Sequence, residues 1–386
     1  MPIKPSQVQA ILHQKRADFT RFNQSSLSRL QVYQRAWQAL AQQPSDSLQQ
    51  WFQRRPMNVG GRLIEAWPAT ENGIRQAQLQ WRNREHSLDW VRSQLTGITT
   101  FAVDGSQIFP SKDISIPVAL VQVGWFENPH SETGRYFKDI DLDVMTPADF
   151  QDEGISRERL VQARRFCMET QRLIRYMQQV KQPERCLAFF DGALVASFAD
   201  TYEAAIREVY LKALLQLLDA SEQYRVPLVG YIDTSEARDL ATLLEQFHSL
   251  ETQSDIHDAA ILRSLMQWGD RTPLFRCDRG GILSDYKAHA ERLSFVYLKT
   301  NRGYPARLEM PLWMHEAGLS ERVINWVRAE VAVGGGYPYA IETADQTAVL
   351  QNLDRQVFFR ILQDWAEQEN LKLRLSRKMV SKARRR

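Results

Sequence analysis

From Ser6 to about Leu95, apolar side chains recur at helix-like spacing within a Gln- and Arg-rich background: Val8, Ile11 and Leu12, then Leu27, Leu30, Val32 and Trp37. Breaks fall at Gln43-Pro44 and from Pro56 to Gly61. The spacing predicts a helical N-terminal region over residues 1–96, packed on the main domain or on a partner, because it lacks the strand signals of an independent α/β unit. The texture changes at Gly97. Residues 98–103 form a β-branched, apolar run that ends in Asp104-Gly105-Ser106 and reads as a first strand. Extended runs over 114–126 and 135–144 follow, the second carrying Asp139, Asp141 and Asp143 in alternation, and Asn128-Pro129-His130-Ser131 turns the chain between them. Together they predict an antiparallel meander.

A helix over 156–180, capped by Ser156, leads to a strand over 186–190. A long helix over about 199–224 and a strand over 228–232 complete a parallel crossover. Helices near 235–249 and 257–266 precede strands over 293–299 and 306–310, and helices over 319–333 and 342–369 close the domain. The order βββαβα is the skeleton of an α/β, ribonuclease-H-like mixed sheet flanked by helices, here spanning 97–369, with a basic tail over 370–386.

In such sheets ligands gather where strands end. Two apolar runs drive straight into Asp-Gly, at Asp104 and at Asp191, and carboxylates held side by side call for a bridging cation. Two helices offer further oxygens. Glu169 lies three residues after Phe166 and four before Leu173, on the packed side of its helix. Asp345 lies one turn before Val349, at the head of an apolar stripe through Leu353, Val357, Ile361 and Trp365, and is expected to be a buried first-turn carboxylate facing the sheet. The set Asp104, Glu169, Asp191 and Asp345 is the candidate catalytic and metal-binding group. The loop Gly334-Gly335-Gly336-Tyr337-Pro338-Tyr339 suits strand separation or base stacking, and without a Lys-Ser/Thr ending it is no nucleotide-binding loop. No G-x-S-x-G or H-E-x-x-H pattern is present, and His257 and His289 are at most auxiliary acids or bases.

Composition narrows this further. A hydrophobic share of 44% with ten Trp is that of a globular protein. No run approaches a membrane span, and the segment MPIKPSQVQAILHQKR lacks the apolar core of a signal peptide, so a cytoplasmic protein without membrane association is expected. Cys167, Cys186 and Cys277 are too scattered for a C-x-x-C site and are expected to be reduced, buried thiols. Charge is uneven. Residues 372–386 hold eight Lys or Arg and no acid, and residues 1–98 have a net charge of +7. Since the whole chain sums to +3, residues 99–371 stand near −12. Basic ends around an acidic centre suit a phosphate backbone and a cation site respectively.

The motifs V-D-G-S at 103–106, F-D-G-A-L at 190–194 and G-Y-P-Y at 336–339, followed by Ala344-Asp345, recur in an order that resembles the NurA-domain nucleases. The apolar strand over 227–232 followed by Ser235, the D-x-x-x-L pattern at Asp258, and the strand over 296–299 with a partner ending in Met310-Pro311 are also similar. The resemblance implies a ribonuclease-H-like fold. It also implies a deoxyribonuclease using two Mn²⁺ or Mg²⁺ ions, with 5′-to-3′ exonuclease and single-strand endonuclease activity on single- and double-stranded DNA. Homodimerisation follows as well, as does partnership with a HerA-type hexameric ATPase in double-strand-break end resection. Asp104, Asp191, Glu169 and Asp345 take the metal-ligand role by this resemblance. Asp345 stands where many relatives have His, and Asp233 where a basic residue is common, which leaves two other readings open. One is a non-catalytic DNA-binding adaptor of a translocating ATPase, the other an RNA-directed nuclease on the same sheet.

Overall fold

The computed structural model describes residues 3–374 apart from 56, 69, 71, 113 and 153; most of the expected basic tail, residues 375–386, lies outside the described residues. In chain order the elements are α1 (Pro5–Gln14), α2 (Arg16–Ala41), α3 (Ser45–Gln53), β1 (Gly60–Leu63), α4 (Arg84–Leu95), β2 (Thr99–Ile108), β3 (Ala119–Asn128) and β4 (Phe137–Met145). There follow α5 (Arg157–Gln179), β5 (Cys186–Asp191), α6 (Ala204–Tyr224), β6 (Leu228–Ile232), α7 (Asp239–His248), α8 (Asp258–Leu262) and β7 (Phe275–Asp278). The chain ends with β8 (Leu293–Leu298), β9 (Ala306–Pro311), the short α9 (Trp313–Glu316), α10 (Ser320–Val333), α11 (Tyr339–Ala348) and α12 (Asn352–Gln368). These elements form two compact units. One joins residues up to Leu79 with Asp233–Gly280 and Ser294–Leu308; the other comprises Gln80–Ile232, Gly281–Leu293 and the chain from Glu309 onward.

In the first unit β1 pairs antiparallel with β7, and β7 with β8. Neither β1 nor β7 was expected, and the N-terminal stretch is not purely helical. A four-residue Gly-Gly-Arg-Leu strand has almost no local propensity and exists through its pairing. Trp37 of α2 is fully buried and packs edge-on against Trp67. Beneath this core is a charged network. Arg307 Nη1 lies 2.7 Å from Asp239 and 4.0 Å from Asp258, and the Tyr297 hydroxyl donates to Asp258 at 3.0 Å. Burial and the charge of Asp239 push Asp258 up to about 7, against the pull of Arg307 and two backbone N–H groups.

The second unit carries the predicted meander and crossover. Its strands run in the order β6-β5-β2-β3-β4. β2, β3 and β4 are antiparallel, and β5 and β6 join parallel to β2 and to each other. This is the ribonuclease-H-like mixed sheet. Ser156 caps α5 by accepting from the Arg159 N–H, as its position implied. α5 buries Val161, Phe166, Leu173 and Tyr176, with Phe101 of β2 stacked on Tyr176 at a centroid distance of 3.9 Å.

The predicted helix over 342–369 is two helices. Residues 349–351 break it, and Gln351 and Asp354 close a capping box that starts α12. The stripe Val349, Leu353, Val357, Ile361 and Trp365 is exposed, whereas Phe359 turns inward on Ile108, Ile114 and Leu120. Asp345 is correspondingly an exposed residue in the middle of α11, not a buried first-turn carboxylate. Proximity to the apolar periodicity misassigned it, because the inward stripe of α12 is set by Phe359 and starts after the break.

Candidate active site

Asp104 and Asp191 come together because β2 and β5 are parallel and in register. Val103 stands opposite Phe190, so the next residue on each strand is an aspartate. β5 stops there, but β2 continues to Ile108 in partnership with β3. Asp104 therefore does not end its strand, as the Asp-Gly signal suggested; it marks where β2 loses one neighbour. Side chains alternate across a strand. Phe101 and Gly105 face α5, while Thr100, Asp104 and Ser106 face α10 and α11. On that second face Thr100 Oγ1 donates to Glu330 at 2.8 Å and Ser106 Oγ to the Ala348 carbonyl at 2.5 Å.

A glycine lets α11 come this close. Gly124 of β3 stands directly opposite Asp104, and a Cβ there would lie 2.5 Å from the Ala348 amide nitrogen, a backbone atom with no freedom to yield. Gln122 Nε2 also donates to the Ala348 carbonyl, at 2.8 Å, and buried Glu330 accepts from the Ala340 N–H at 2.9 Å. Held at both ends, α11 brings Asp345 into hydrogen-bond contact with Asp104.

Glu169 approaches from the opposite face. It lies on the buried side of α5 and is only 8% exposed. Its Oε1 occupies the space a side chain at Gly105 would need, 2.5 Å from where the Cβ would be, and the Arg165 stem fills the rest. Burial pushes Glu169 up to about 8, with Arg165 opposing and the charges of Asp104 and Asp191 adding to the rise. Burial likewise pushes Asp104 up to about 6. The Gly105 N–H pulls it down, and the Asp345 hydrogen bond and the charges of Asp191 and Asp345 raise it.

The loop over 334–339 contributes a residue the sequence reading missed. The Tyr337 hydroxyl donates to Asp191 Oδ1 at 2.8 Å, and its ring meets Tyr231 edge-on at 5.1 Å. Tyrosine in a Gly-rich loop signals stacking as readily as hydrogen bonding, so only the fold separates the two. The histidines do other work: His257 caps α8 by accepting from the Ala260 N–H, and His289 pairs with Asp219 at 2.7 Å. All three cysteines are free thiols, but Cys167 is only half-buried, which corrects the expectation for that residue.

Oxygen-only donors suit a hard divalent cation. Glu169 Oε1 is shielded from solvent and receives no hydrogen bond among the described residues, and Asp104 stands among further acidic groups, so a cation would relieve both. As placed, however, no group of three or more His, Cys, Asp or Glu side chains among the described residues is arranged to hold a metal ion. Glu169 and the three aspartates lie on opposite faces.

A pH dependence follows from these shifts. Both folded pKa values lie above the ordinary carboxyl range, so the stability these groups contribute is complete below about pH 4 and declines as pH rises through 6 and then 8. A cation needs the deprotonated oxygens, so the rise in melting temperature caused by Mn²⁺ should be small near about pH 5 and much larger near about pH 8. Thermal melts with and without Mn²⁺ at both pH values check this. A Mn²⁺ effect equal at both, or larger in acid, would separate metal binding from these carboxyls.

A ribonuclease-H-like sheet with carboxylates gathered where β5 leaves β2 defines the class of this chain. The sequence matches the NurA domain family over residues 98–350, and the chain belongs to that family. Among solved structures it is similar to the NurA nuclease from Sulfolobus solfataricus, at 13% identity over 70% of this chain and 85% of that one, with a TM-score of 0.48. It is also similar to Ciona intestinalis endonuclease V bound to an inosine-containing DNA, at 9% identity over 72% and 96%, with a TM-score of 0.24. No curated protein matches it. No helix among the described residues is long and apolar enough to cross a membrane.

Proposed function

We propose that this protein is a divalent-metal-dependent deoxyribonuclease in which Asp104, Asp191, Asp345 and Glu169 hold the metal, Mn²⁺ or Mg²⁺, as two ions. The observation that carries this is the placement of Asp104 and Asp191 directly after the last paired residues of β2 and β5, with Asp345 of α11 beside Asp104. Divalent cations held there would supply a water of lowered pKa for attack on phosphorus and would offset charge on the departing oxygen. The chain supplies the rest. The ladder sets the backbones of Asp104 and Asp191 side by side, and Tyr337 holds the Asp191 side chain through Oδ1. Glu169, pushed up to about 8, can keep or release a proton at its carboxyl near neutral pH.

Family membership supports the finer assignments. These are 5′-to-3′ exonuclease and single-strand endonuclease activity on single- and double-stranded DNA, a homodimer, a cytoplasmic setting, and a HerA-type ATPase that feeds DNA during end resection. The position of Glu169 across the sheet from the aspartates favours one rival, a DNA-binding adaptor without cleavage. End-labelled single- and double-stranded DNA incubated with Mn²⁺, Mg²⁺ or EDTA decides between them. The nuclease shortens the strand in a metal-dependent way; an adaptor slows its migration and leaves its length unchanged.

A further inference from the structure

We infer that Arg165 is a phosphate-binding residue of this site and not a permanent partner of Glu169. The inference rests on the nuclease reading above. Arg165 lies one turn before Glu169 on α5, and its stem runs along Gly105, with Cγ 2.7 Å from where a Cβ would stand. Its Nη1 donates to the Gly105 carbonyl at 3.0 Å, which anchors the guanidinium to the strand that carries Asp104 independently of any carboxylate. Nε faces Glu169 Oε1 at 3.3 Å, yet both atoms are shielded from solvent and neither makes a hydrogen bond among the described residues. Nη2 makes none among the described residues, and the side chain is 34% exposed.

A guanidinium built to neutralise Glu169 would meet it fork to fork; this one is held beside it, out of alignment, with donors uncommitted. Nε makes no hydrogen bond to Oε1, so the pairing that keeps the fork toward Glu169 is loose with or without metal. The planar fork, tied to Gly105, offers its free donors to a phosphate oxygen of a DNA strand at the carboxylates. Arg165 thereby supplies the site with a fixed positive charge that a set of four carboxylates otherwise lacks, and it acts on the substrate's charge, not on the metal's.

The test compares wild type with Arg165→Gln, Arg165→Lys and, as a charge-matched control, Arg164→Gln, whose side chain pairs with Asp143 at 2.6 Å. Binding of a labelled single-stranded oligonucleotide is followed by anisotropy across a salt series in EDTA. One phosphate contact fewer lowers the slope of log affinity against log salt by about 0.7. Arg165→Gln should show that loss and cleave about a hundredfold more slowly at saturating DNA. Arg165→Lys should recover the slope but only part of the rate, and Arg164→Gln should match wild type in both. Mn²⁺ affinity, read by electron paramagnetic resonance, should hold or tighten in Arg165→Gln. A wild-type slope in Arg165→Gln, or a rate loss that tracks weakened Mn²⁺ binding, overturns the inference. If wild type itself shortens no DNA under any metal, the nuclease reading fails, and the salt slopes still report separately on Arg165.

Discussion

Replacing Asp104 by Asn should reduce cleavage by at least about a hundredfold while leaving DNA affinity in EDTA close to wild type. Asn keeps the shape of the side chain and its contact with the Gly105 N–H but offers one neutral oxygen where the site needs a carboxylate. The same substitution has a second expected consequence. Asp104 is pushed up to about 6 by burial and by its acidic neighbours, so its ionised form strains the metal-free fold. Stability from this group is complete below the ordinary carboxyl range and falls as pH rises through 6. Metal-free Asp104→Asn should therefore melt with wild type near about pH 4 and above it near about pH 8, and should gain less than wild type from added Mn²⁺. A variant that loses activity and stability together would point to misfolding instead. One that cuts at the wild-type rate would remove Asp104 from the site.

The largest effect on stability is expected in the first unit. Arg307 is 1% exposed, lies 2.7 Å from Asp239, donates to the Tyr297 hydroxyl at 3.3 Å, and stacks over Phe295 at 3.9 Å. Arg307→Met preserves the volume and removes the charge, leaving Asp239 and Asp258 buried without their shared cation. Breaking one partner out of such a network costs about 3–5 kcal/mol, because the remaining charges keep their desolvation penalty. The loss has a pH signature. Asp258 already stands near 7, and without Arg307 it rises further, so the penalty should be greatest above about pH 7 and should shrink as Asp258 protonates toward about pH 5. Urea unfolding at the two pH values measures this. A deficit that does not change with pH would mean that packing on Phe295, not charge, is what Arg307 supplies.

What could be read from the sequence divides along physical lines. Asp104 and Asp191 were legible because an apolar β-branched run entering Asp-Gly is a local pattern, and the βββαβα order followed from turn residues and periodicity alone. Glu169 was legible as an inward residue because Phe166 and Leu173 fix its face of α5. The break before α12 was not, since no Gly or Pro marks 349–351 and Gln351 is an uncommon cap. That error moved Asp345 onto an imagined buried stripe, although Gly124 and Ala348 bring it to Asp104 by another route. β1 and β7 were invisible for a related reason. Strands of four residues are held by pairing with distant chain, and a local pattern has nothing to say about that. Tyr337 shows the same limit at the site, because its bond to Asp191 spans 146 positions.

Whether these four carboxylates hold divalent cations is tested most directly by an anomalous difference map from Mn²⁺-soaked crystals. Manganese peaks about 2 Å from oxygens of Asp104 and Asp191, with Asp345 and Glu169 drawn into or next to the same coordination shell, are what the account predicts. Manganese bound elsewhere while these carboxylates stay free of metal would contradict it.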